Sequence, residues 1–298
     1  MAGYKFFYTD QDGIEWTIND GSIWVIDGYD AMIGFGVLDV DVASERRPYC
    51  DGTTQTGRPY TPERLMGLRL GGYFDSFTLL TAAVRTLRGR LATYKDVDSI
   101  GVLRATTPDG VTRSISALFV SYPDAEHDGP LFCKAHLGFW APDPFFFDPT
   151  LQTLTLALSS PGGVTFPLAF DVTTGLPFAT STIDSHDAIQ NAGDVETWPT
   201  IRIYGPGTNP TVENETTGNT MALTQILDAG DYIDVNMDAG TVTWFDATDS
   251  STNNIIENMS DASVFYPLAR GENMLHTTMS GVTYGSVIVS WYNRFASL

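Results

Sequence analysis

Short stretches of alternating apolar and polar residues dominate the first part of the chain. Residues 4–8, 16–18 and 23–26 have this character and are separated by Asp-Gly and Asn-Asp-Gly turn signals. Such short runs between turn residues are typical of β-hairpins. A further hairpin is predicted at residues 100–105 and 111–120, because the connecting Thr-Pro-Asp-Gly supplies both a preset φ and a positive φ.

One segment has the period of a helix instead. Apolar residues recur there at alternating steps of three and four, which predicts an amphipathic helix with Asp75 or Ser76 as its N-cap. The apolar positions are Phe77, Leu80, Val84, Leu87 and Leu91. Three arginines near its C-terminal end complement the helix dipole. We expect this helix to cover a sheet and to turn its polar face to solvent.

A proline-rich segment divides the chain into two predicted domains. The predicted strand at 131–140 ends in APDPFFFDP, where prolines prevent regular continuation. The prediction is a first domain over 1–150 and a second over 151–298. Short strands with Gly- and Asn-rich turns predict an antiparallel sandwich for the second domain, with strands at 151–158, 165–170, 200–204, 221–223, 232–236, 241–245 and 286–291.

Residues 44–62 interrupt the strand pattern of the first domain. Their sequence, SERRPYCDGTTQTGRPYTP, contains almost no aliphatic residues and cannot fill a core. We predict a long arm or loop.

Composition narrows the classes of function. The chain has 298 residues, 16 basic and 36 acidic, with a net charge of −20, which disfavours general nucleic-acid binding. The first 150 residues carry 13 basic and 20 acidic side chains, and the rest carry 3 and 16. The first residues do not have the basic and apolar regions of a secretory signal, and no apolar run reaches the roughly 18 residues of a membrane-spanning helix. We therefore expect neither secretion by that route nor a membrane span. Cys50 and Cys133 are expected to be free thiols.

The motifs that carry chemistry are not found. The sequence contains no GxSxG, HExxH, GxxxxGK(S/T) or GxGxxG motif, so we expect no enzyme, no cofactor and no metal site. The histidines at 127, 136, 186 and 276 have no pair at metal-ligand spacing. Acidic residues are so abundant that a glycosidase-like pair carries little weight. Aromatic residues make up 12% of the chain and leave open a sugar-stacking surface or a hydrophobic packing role.

The second domain contains an ordered set of short motifs. Asn191-Ala192-Gly193-Asp194 is followed by WPTIRIYG, Asn209-Pro210 and Asn214, then by GDYIDV, LARGEN and VSWYNR. This order resembles the distal tail protein (Dit) family of long-tailed, non-contractile bacteriophages. The resemblance implies a mainly β fold: a ring-forming, tail-tube-like N-terminal β-sandwich with one helix and a galectin-like C-terminal antiparallel β-sandwich.

The resemblance also implies a function. Members of this family form a hexameric ring, single or paired, at the distal end of the tail, assembled in the host cytoplasm. The ring joins the tail tube protein to the tail-tip hub or tail-associated lysin and carries receptor-binding or other adsorption proteins. The virion's DNA would pass through its lumen without sequence-specific binding, and no membrane insertion is implied. The chain is therefore expected to be a virion structural protein of a siphovirus tail tip or baseplate.

The predicted arm is the candidate inter-protomer contact. Its basic residues stand out in an acidic chain, and rings use head-to-tail contacts in which an arm can complete a neighbour. The candidate contact residues are Arg46, Arg47, Gln55, Arg58 and Tyr60. The alternative reading is a non-catalytic glycan-binding β-sandwich protein, although the cluster that grips galactose in galectins is not visible and Trp198 alone is insufficient.

Overall fold

The computed structural model describes residues 3–157, apart from 20, 22, 29, 37, 49, 92–99, 128 and 130, and residues 183–298, apart from 283 and 284. The chain divides into two compact units, Met1–Pro149 with Arg294–Leu298, and Thr150–Asn293. The expected second domain ran to residue 298, whereas the last five residues belong to the first unit.

The first unit is built from antiparallel strands and one helix. Its elements are β1 Lys5–Thr9, β2 Glu15–Thr17, β3 Val25–Ile26, β4 Met32–Ile33, β5 Ser44–Arg46, β6 Thr53–Gln55, β7 Arg64–Tyr73, α1 Phe77–Leu91, β8 Gly101–Thr106, β9 Thr112–His127, β10 Phe132–Ala141 and β11 Phe146–Phe147. The main sheet has the order β2-β1-β8-β9-β10-β7-β3, with β4 beside β7 and β11 beside β9. Strands β5 and β6 pair only with each other in this part of the fold.

The core of the first unit is formed mainly by the buried faces of strands packed against each other, as where Tyr8 of β1 contacts Phe139 of β10, and α1 covers part of it. Alternate residues of β7 and β10 are buried, and α1 contributes Leu80, Val84 and Leu87. Ser76 caps the helix, since its Oγ accepts a hydrogen bond from the Leu79 amide at 3.3 Å. The helix has the predicted bounds. Phe77, which was expected on the apolar face, is 60% exposed, because the buried positions of the helix begin only at Leu80.

The second unit is a sandwich of two antiparallel sheets. Its strands are β12 Gln152–Ala157, β13 Ile183–Asn191, β14 Thr200–Tyr204, β15 Gly207–Asn214, β16 Asn219–Ala222, β17 Ile226–Leu227, β18 Tyr232–Asn236, β19 Thr241–Asp246, β20 Ser251–Asn254, β21 Gly271–Ser280 and β22 Ser286–Trp291, with a 3₁₀ turn at Ile256–Asn258. One sheet has the order β12-β22-β14-β18-β19-β20, the other β13-β21-β15-β16 with β17 on β15.

The two sheets of this unit share one core. Buried residues from β14, β18 and β22 pack with buried residues from β15, β16 and β21. The prediction of a mainly β fold with one helix is thus confirmed. The predicted strand at 165–170 lies outside the described residues. Three long strands, β13, β15 and β21, were not predicted, and neither was β7.

The last strand, β23 Arg294–Phe295, pairs with β11 in the first unit. Within the described ranges, no helix is both long and apolar enough to cross a bilayer.

Candidate functional site

The predicted arm is a β-hairpin with a solvent-exposed surface. Strand β5 pairs with β6 from Ser44 opposite Gln55 to Arg46 opposite Thr53. Below this pair, the Asp41 and Tyr60 backbones exchange two hydrogen bonds of 2.9 and 3.1 Å. All described residues from 41 to 60 are exposed except Gly57, which is half-buried. We call residues 41–60 the arm.

The structure brings the five candidate contact residues together on the arm. Arg46 ends β5, and the next residue, Arg47, donates from Nε to Thr54 Oγ1 at 3.2 Å. Gln55 donates to the Gly57 carbonyl at 2.8 Å, while Arg58 is exposed. Tyr60 donates from its hydroxyl to Asp41 Oδ2 at 3.0 Å, and this hydrogen bond raises the pKa of Tyr60.

The outward face of the main sheet in the first unit carries exposed apolar side chains around Arg69, Lys134 and His136, and the sequence analysis did not identify this surface. Alternate residues of β7 and β10 point away from the core, and the apolar members of this outward set, with those of β3 and β4, are Val25, Ile33, Leu65, Tyr73, Phe132 and Trp140. We call this set the outer sheet face. Leu65 is 65% and Tyr73 76% exposed.

Two positions of the outer sheet face are glycines and so contribute no side chain. Gly67 lies opposite Ile33, and Gly71 lies opposite Val25. Tyr73 packs on Phe132 with ring centroids 4.4 Å apart, which orders one end of this face. A Cβ at Gly71 would lie 3.1 Å from Asp27 Cβ and 3.3 Å from Phe132 Cε2, and a Cβ at Gly67 would lie 3.6 Å from Ile33 Cβ, so neighbouring side chains already cover both glycines. The exposed apolar side chains around them are the feature that marks a contact surface.

A groove of about 450 Å³ continues from this surface between α1 and the strands beside it. Tyr73 lines the groove and is also part of the outer sheet face. The other lining residues include Trp16, Trp24, Leu79 and Leu87. The first unit therefore carries apolar surface on both sides of Tyr73.

Three arginines hold the C-terminal residues in the first unit. Arg64 is buried and donates to four carbonyls, those of Gly34, Gly36, Pro144 and Ala296, at 2.6 to 3.2 Å. Burial lowers the pKa of Arg64. Arg113 donates to the Ser297 carbonyl and stacks over Phe295, and Arg294 pairs with Asp143 at 2.6 Å. These contacts explain why the unit includes residues from both ends of the chain.

The motif residues of the second unit are buried amides that join its connecting segments. Asn191 donates to the Val195 carbonyl at 2.9 Å and accepts from the Gly193 amide at 3.0 Å. Asn214 donates to Asn273 Oδ1 at 3.0 Å, and Asn273 donates to the Ala269 carbonyl at 2.8 Å. Each amide satisfies backbone or side-chain groups that would otherwise be buried without partners. The residues that carry the resemblance therefore have structural roles.

Two histidines that are far apart in the sequence lie side by side in the second unit. His186 on β13 is directly opposite His276 on β21, with ring centroids 4.0 Å apart and ring planes 4° apart. Asp184 Oδ1 lies 2.8 Å from His276 Nε2 and 3.6 Å from His186 Nε2. The sequence analysis missed this pair because neither strand was predicted. Alternation with Asp184 and Asp187 hid the strand character of β13.

The other candidate residues are separate from this cluster. His136 lies on β10 in the first unit, and the side chain of His127 is outside the described set. Cys50 is exposed and Cys133 is buried, and both are free thiols, as expected. Burial raises the pKa of the Cys133 thiol.

Most of the second unit matches a known family of phage proteins. Residues 192–295 match the model of the siphovirus-type tail component, C-terminal domain. The structure resembles that of SPP1 Dit, a phage protein described as a paradigm of the hub adsorption apparatus in phages that infect Gram-positive bacteria. The TM-score is 0.67 at 16% identity, over 98% of this chain and 99% of that one.

A chain from the baseplate of phage P2, in its activated conformation with Ca, aligns with a TM-score of 0.48 at 12% identity, over 96% of this chain and 97% of that one. No curated protein sequence matches. The family model describes a tail component rather than an enzyme. The predicted resemblance is confirmed: this chain has the fold of a phage distal tail protein, and its residues 192–295 match the model of the siphovirus-type tail component, C-terminal domain.

Proposed function

We propose that the chain is the structural hub of a phage tail tip, with six copies closed into a ring at the distal end of the tail. The ring joins the tail tube protein to the tail-tip hub and carries the adsorption proteins, and DNA passes through its lumen. The protein acts by assembly and not by catalysis. The family match of residues 192–295 supports the tail-component part of this proposal.

The outer sheet face of the first unit is the main observation in support of a ring. A surface with Ile33, Leu65 and Tyr73 more than half exposed is costly in water. Full burial of a large apolar side chain contributes about 1.5–3 kcal/mol. Covering this face with another copy of the chain recovers that free energy in every protomer.

The arm supplies the second surface that a ring needs. In a closed ring each protomer uses two different patches, one for the neighbour on either side. The arm and the outer sheet face are two such patches in one unit. A hairpin of two short strands is only marginally stable alone in water, so contact with a neighbour would fix its conformation. We propose that Arg46, Arg47, Gln55, Arg58 and Tyr60 make this contact.

The two domains divide the work in this proposal. The first, with residues 1–149 and 294–298, forms the ring, and the second, residues 150–293, is available for the surrounding tail-tip proteins. The acidic composition agrees with this proposal, because carboxylates repel phosphates and would keep DNA from binding to the protein as it moves through the lumen. The same charge keeps the free protein soluble before assembly.

Light scattering after size exclusion, with negative-stain images of the same peak, tests the proposal. We expect six copies, or twelve as paired rings, around a central hole.

Replacing residues 44–56 by a short turn should leave monomers with an unchanged far-UV circular dichroism spectrum. Intact rings from this deletion would overturn the role of the arm.

A monomer that also fails to assemble with purified tail tube protein would overturn the ring. Binding of that monomer to a glycan array would then favour the alternative function, a glycan-binding sandwich.

A further inference from the structure

We propose that Asp184, His186 and His276 form a binding site for a divalent transition metal ion of the Zn²⁺ type. The site lies on one sheet of the second unit and is independent of the assembly role. Its three candidate ligand atoms, one from each residue, lie within 4.8 Å of one another.

The strand register places all three residues on one face of the sheet. His186 and His276 are directly opposite in the antiparallel pair of β13 and β21, and Asp184 lies two residues before His186 on the same strand. Both Nε2 atoms face the same carboxylate oxygen, at 2.8 and 3.6 Å. Both Nε2 atoms therefore lie near one oxygen, and the stacked rings, 4° from parallel, would have to tilt towards each other for both lone pairs to reach one ion.

The ligand types select the metal. Two imidazole nitrogens and one carboxylate oxygen are a usual set for Zn²⁺, with the remaining position taken by water. Ca²⁺ and Mg²⁺ prefer sites made only of oxygen atoms. Bonds of about 2.0–2.1 Å in a tetrahedral site place ligand atoms roughly 3.4 Å apart. Small side-chain rotations close the present spacing, because His186 and Asp184 are exposed and free to adjust.

Two further carboxylates lie behind the imidazoles. His186 Nδ1 is 3.1 Å from Glu215 Oε1, and His276 Nδ1 is 3.8 Å from Glu213 Oε2. Histidines that bind metals usually donate their other ring N–H to a carboxylate, which fixes the tautomer and makes the ligand more basic. Glu215 is placed for that role, whereas the 3.8 Å separation at Glu213 is longer than a hydrogen bond. With its proton on Nδ1, His186 would carry on Nε2 the lone pair that a metal ion needs.

The charge balance of the cluster also favours a cation. Three carboxylates, those of Asp184, Glu213 and Glu215, surround the two imidazoles. Residues 150–293 contain only two side chains of fixed positive charge, Arg202 and Arg270. Arg202 already pairs with Asp234 at 2.6 Å. A bound divalent ion would neutralise most of the excess charge at this point of the sheet.

The site would join an edge strand to its sheet. Among the strands that the structure describes, in the order β13-β21-β15-β16, β13 is terminal, and the metal would link it to β21 directly and to the end of β15 through Glu215. A ligand that binds only the folded state raises its stability by mass action. Metal binding should therefore raise the thermal midpoint of the second unit.

Calorimetric titration of the chelator-treated full chain with Zn²⁺ tests the site. All proteins carry Cys50→Ser, because this exposed thiol could bind the ion by itself. We expect one ion per chain and a raised thermal midpoint. His276→Gln or Asp184→Asn should weaken binding by about 100-fold or more, since each removes a ligand. Glu215→Gln should weaken it by about 10-fold, as loss of a supporting carboxylate does.

His136→Gln is the matched control, because it removes a histidine from a strand of the other unit and should leave Zn²⁺ binding unchanged. A second readout does not depend on the variants folding. Co²⁺ should broaden the imidazole NMR signals of His186 and His276 and leave those of His136 sharp. Absence of binding at 100 µM Zn²⁺, about a hundredfold above a micromolar dissociation constant, would overturn the proposal. So would equal broadening of all histidines, or Zn²⁺ affinity that survives His276→Gln.

Discussion

The two units contain similar numbers of residues but differ in what they leave exposed. Among the described residues, fifteen large hydrophobic side chains are exposed in the first unit and five in the second. The first unit also has an arm without a core of its own. The second closes its two sheets around one core. Over the residues that the structure describes, the first unit thus leaves more apolar surface for another chain to cover, as the proposed ring would do.

The units also differ in how they satisfy buried polar groups. The first unit uses the guanidinium of Arg64, which donates to four carbonyls and holds the C-terminal residues. The second unit uses the uncharged amides of Asn191, Asn214 and Asn273. A buried charge is costly without partners, so the arginine depends on all of its acceptors at once. The amides instead join one another and the connecting segments, as where Asn214 donates to Asn273 and Asn191 donates to the Leu268 and Ala269 carbonyls.

The largest effect is expected from a charge on the outer sheet face. Leu65→Asp should abolish assembly while leaving the monomer folded, because Leu65 is 65% exposed in the single chain and would be buried between copies in the proposed ring. Burial of an unpaired carboxylate costs several kcal/mol at each contact. Sedimentation velocity on the variant and the parent measures this change.

Ile226→Asp is the matched control for Leu65→Asp. Ile226 is 67% exposed and lies in the second unit, so its substitution should not alter the mass of the assembly. If both substitutions dissociated the protein equally, the contrast between the units would be lost. An assembly that retained its mass with Leu65→Asp would exclude the outer sheet face as the contact.

A smaller effect is expected when the buried arginine is removed. Arg64→Met should lower the free energy of unfolding of the first unit by about 3 kcal/mol, because several charge-assisted hydrogen bonds are lost together. Arg202→Met is the comparison in the second unit. Arg202 pairs with Asp234 but its side chain is 42% exposed, so the cost should stay below about 1 kcal/mol. Hydrogen exchange resolved by residue measures each unit separately, and equal losses would contradict this ranking.

Much of the fold was predictable because strands and helices with one buried face leave a period in the sequence. Leu80, Val84 and Leu87 fixed the helix, and the Pro-Asp-Gly turn fixed the hairpin of β8 and β9. The order of short motifs predicted the family of the second domain. In each case the signal lay within a few neighbouring residues.

The remaining features depended on contacts between distant residues. Strands β13 and β21 contain polar residues on their outward faces, so their sequences did not stand out, and the pairing of His186 with His276 follows only from their register. Leu65 and Tyr73 are similarly placed by β7, whose glycines masked the alternation. Arg64 finds its acceptors in three separate segments. Local patterns do not encode such long-range matches.

Within the second unit, the buried amides should have intermediate effects. Asn273→Ala should lower the free energy of unfolding by about 2 kcal/mol, because it leaves the Ala269 amide and the Asn214 side-chain amide without this acceptor and removes one of the donors to the Ala269 carbonyl. Asn253→Ala is the exposed control, with one side-chain hydrogen bond to Ser251 and little expected change. Urea denaturation compares the two. A loss as large for Asn253→Ala would contradict the structural role assigned to the buried motif residues.

The smallest effect is expected in the arm, where the hydrogen bond from Tyr60 to Asp41 is exposed to solvent. This bond and the nearby carboxylate charge favour the protonated phenol and raise the pKa of Tyr60. Asp41→Asn should therefore lower that pKa towards its ordinary value, as measured by ultraviolet titration of Tyr60 against a Tyr60→Phe reference. Because the folded-state pKa is raised, the stabilisation is present below the ordinary tyrosine pKa and is lost as the pH rises through the folded value. If Tyr60 is buried against a neighbouring copy in the ring, assembly should raise its pKa further through desolvation. An identical titration in free and assembled protein would remove Tyr60 from the proposed contact.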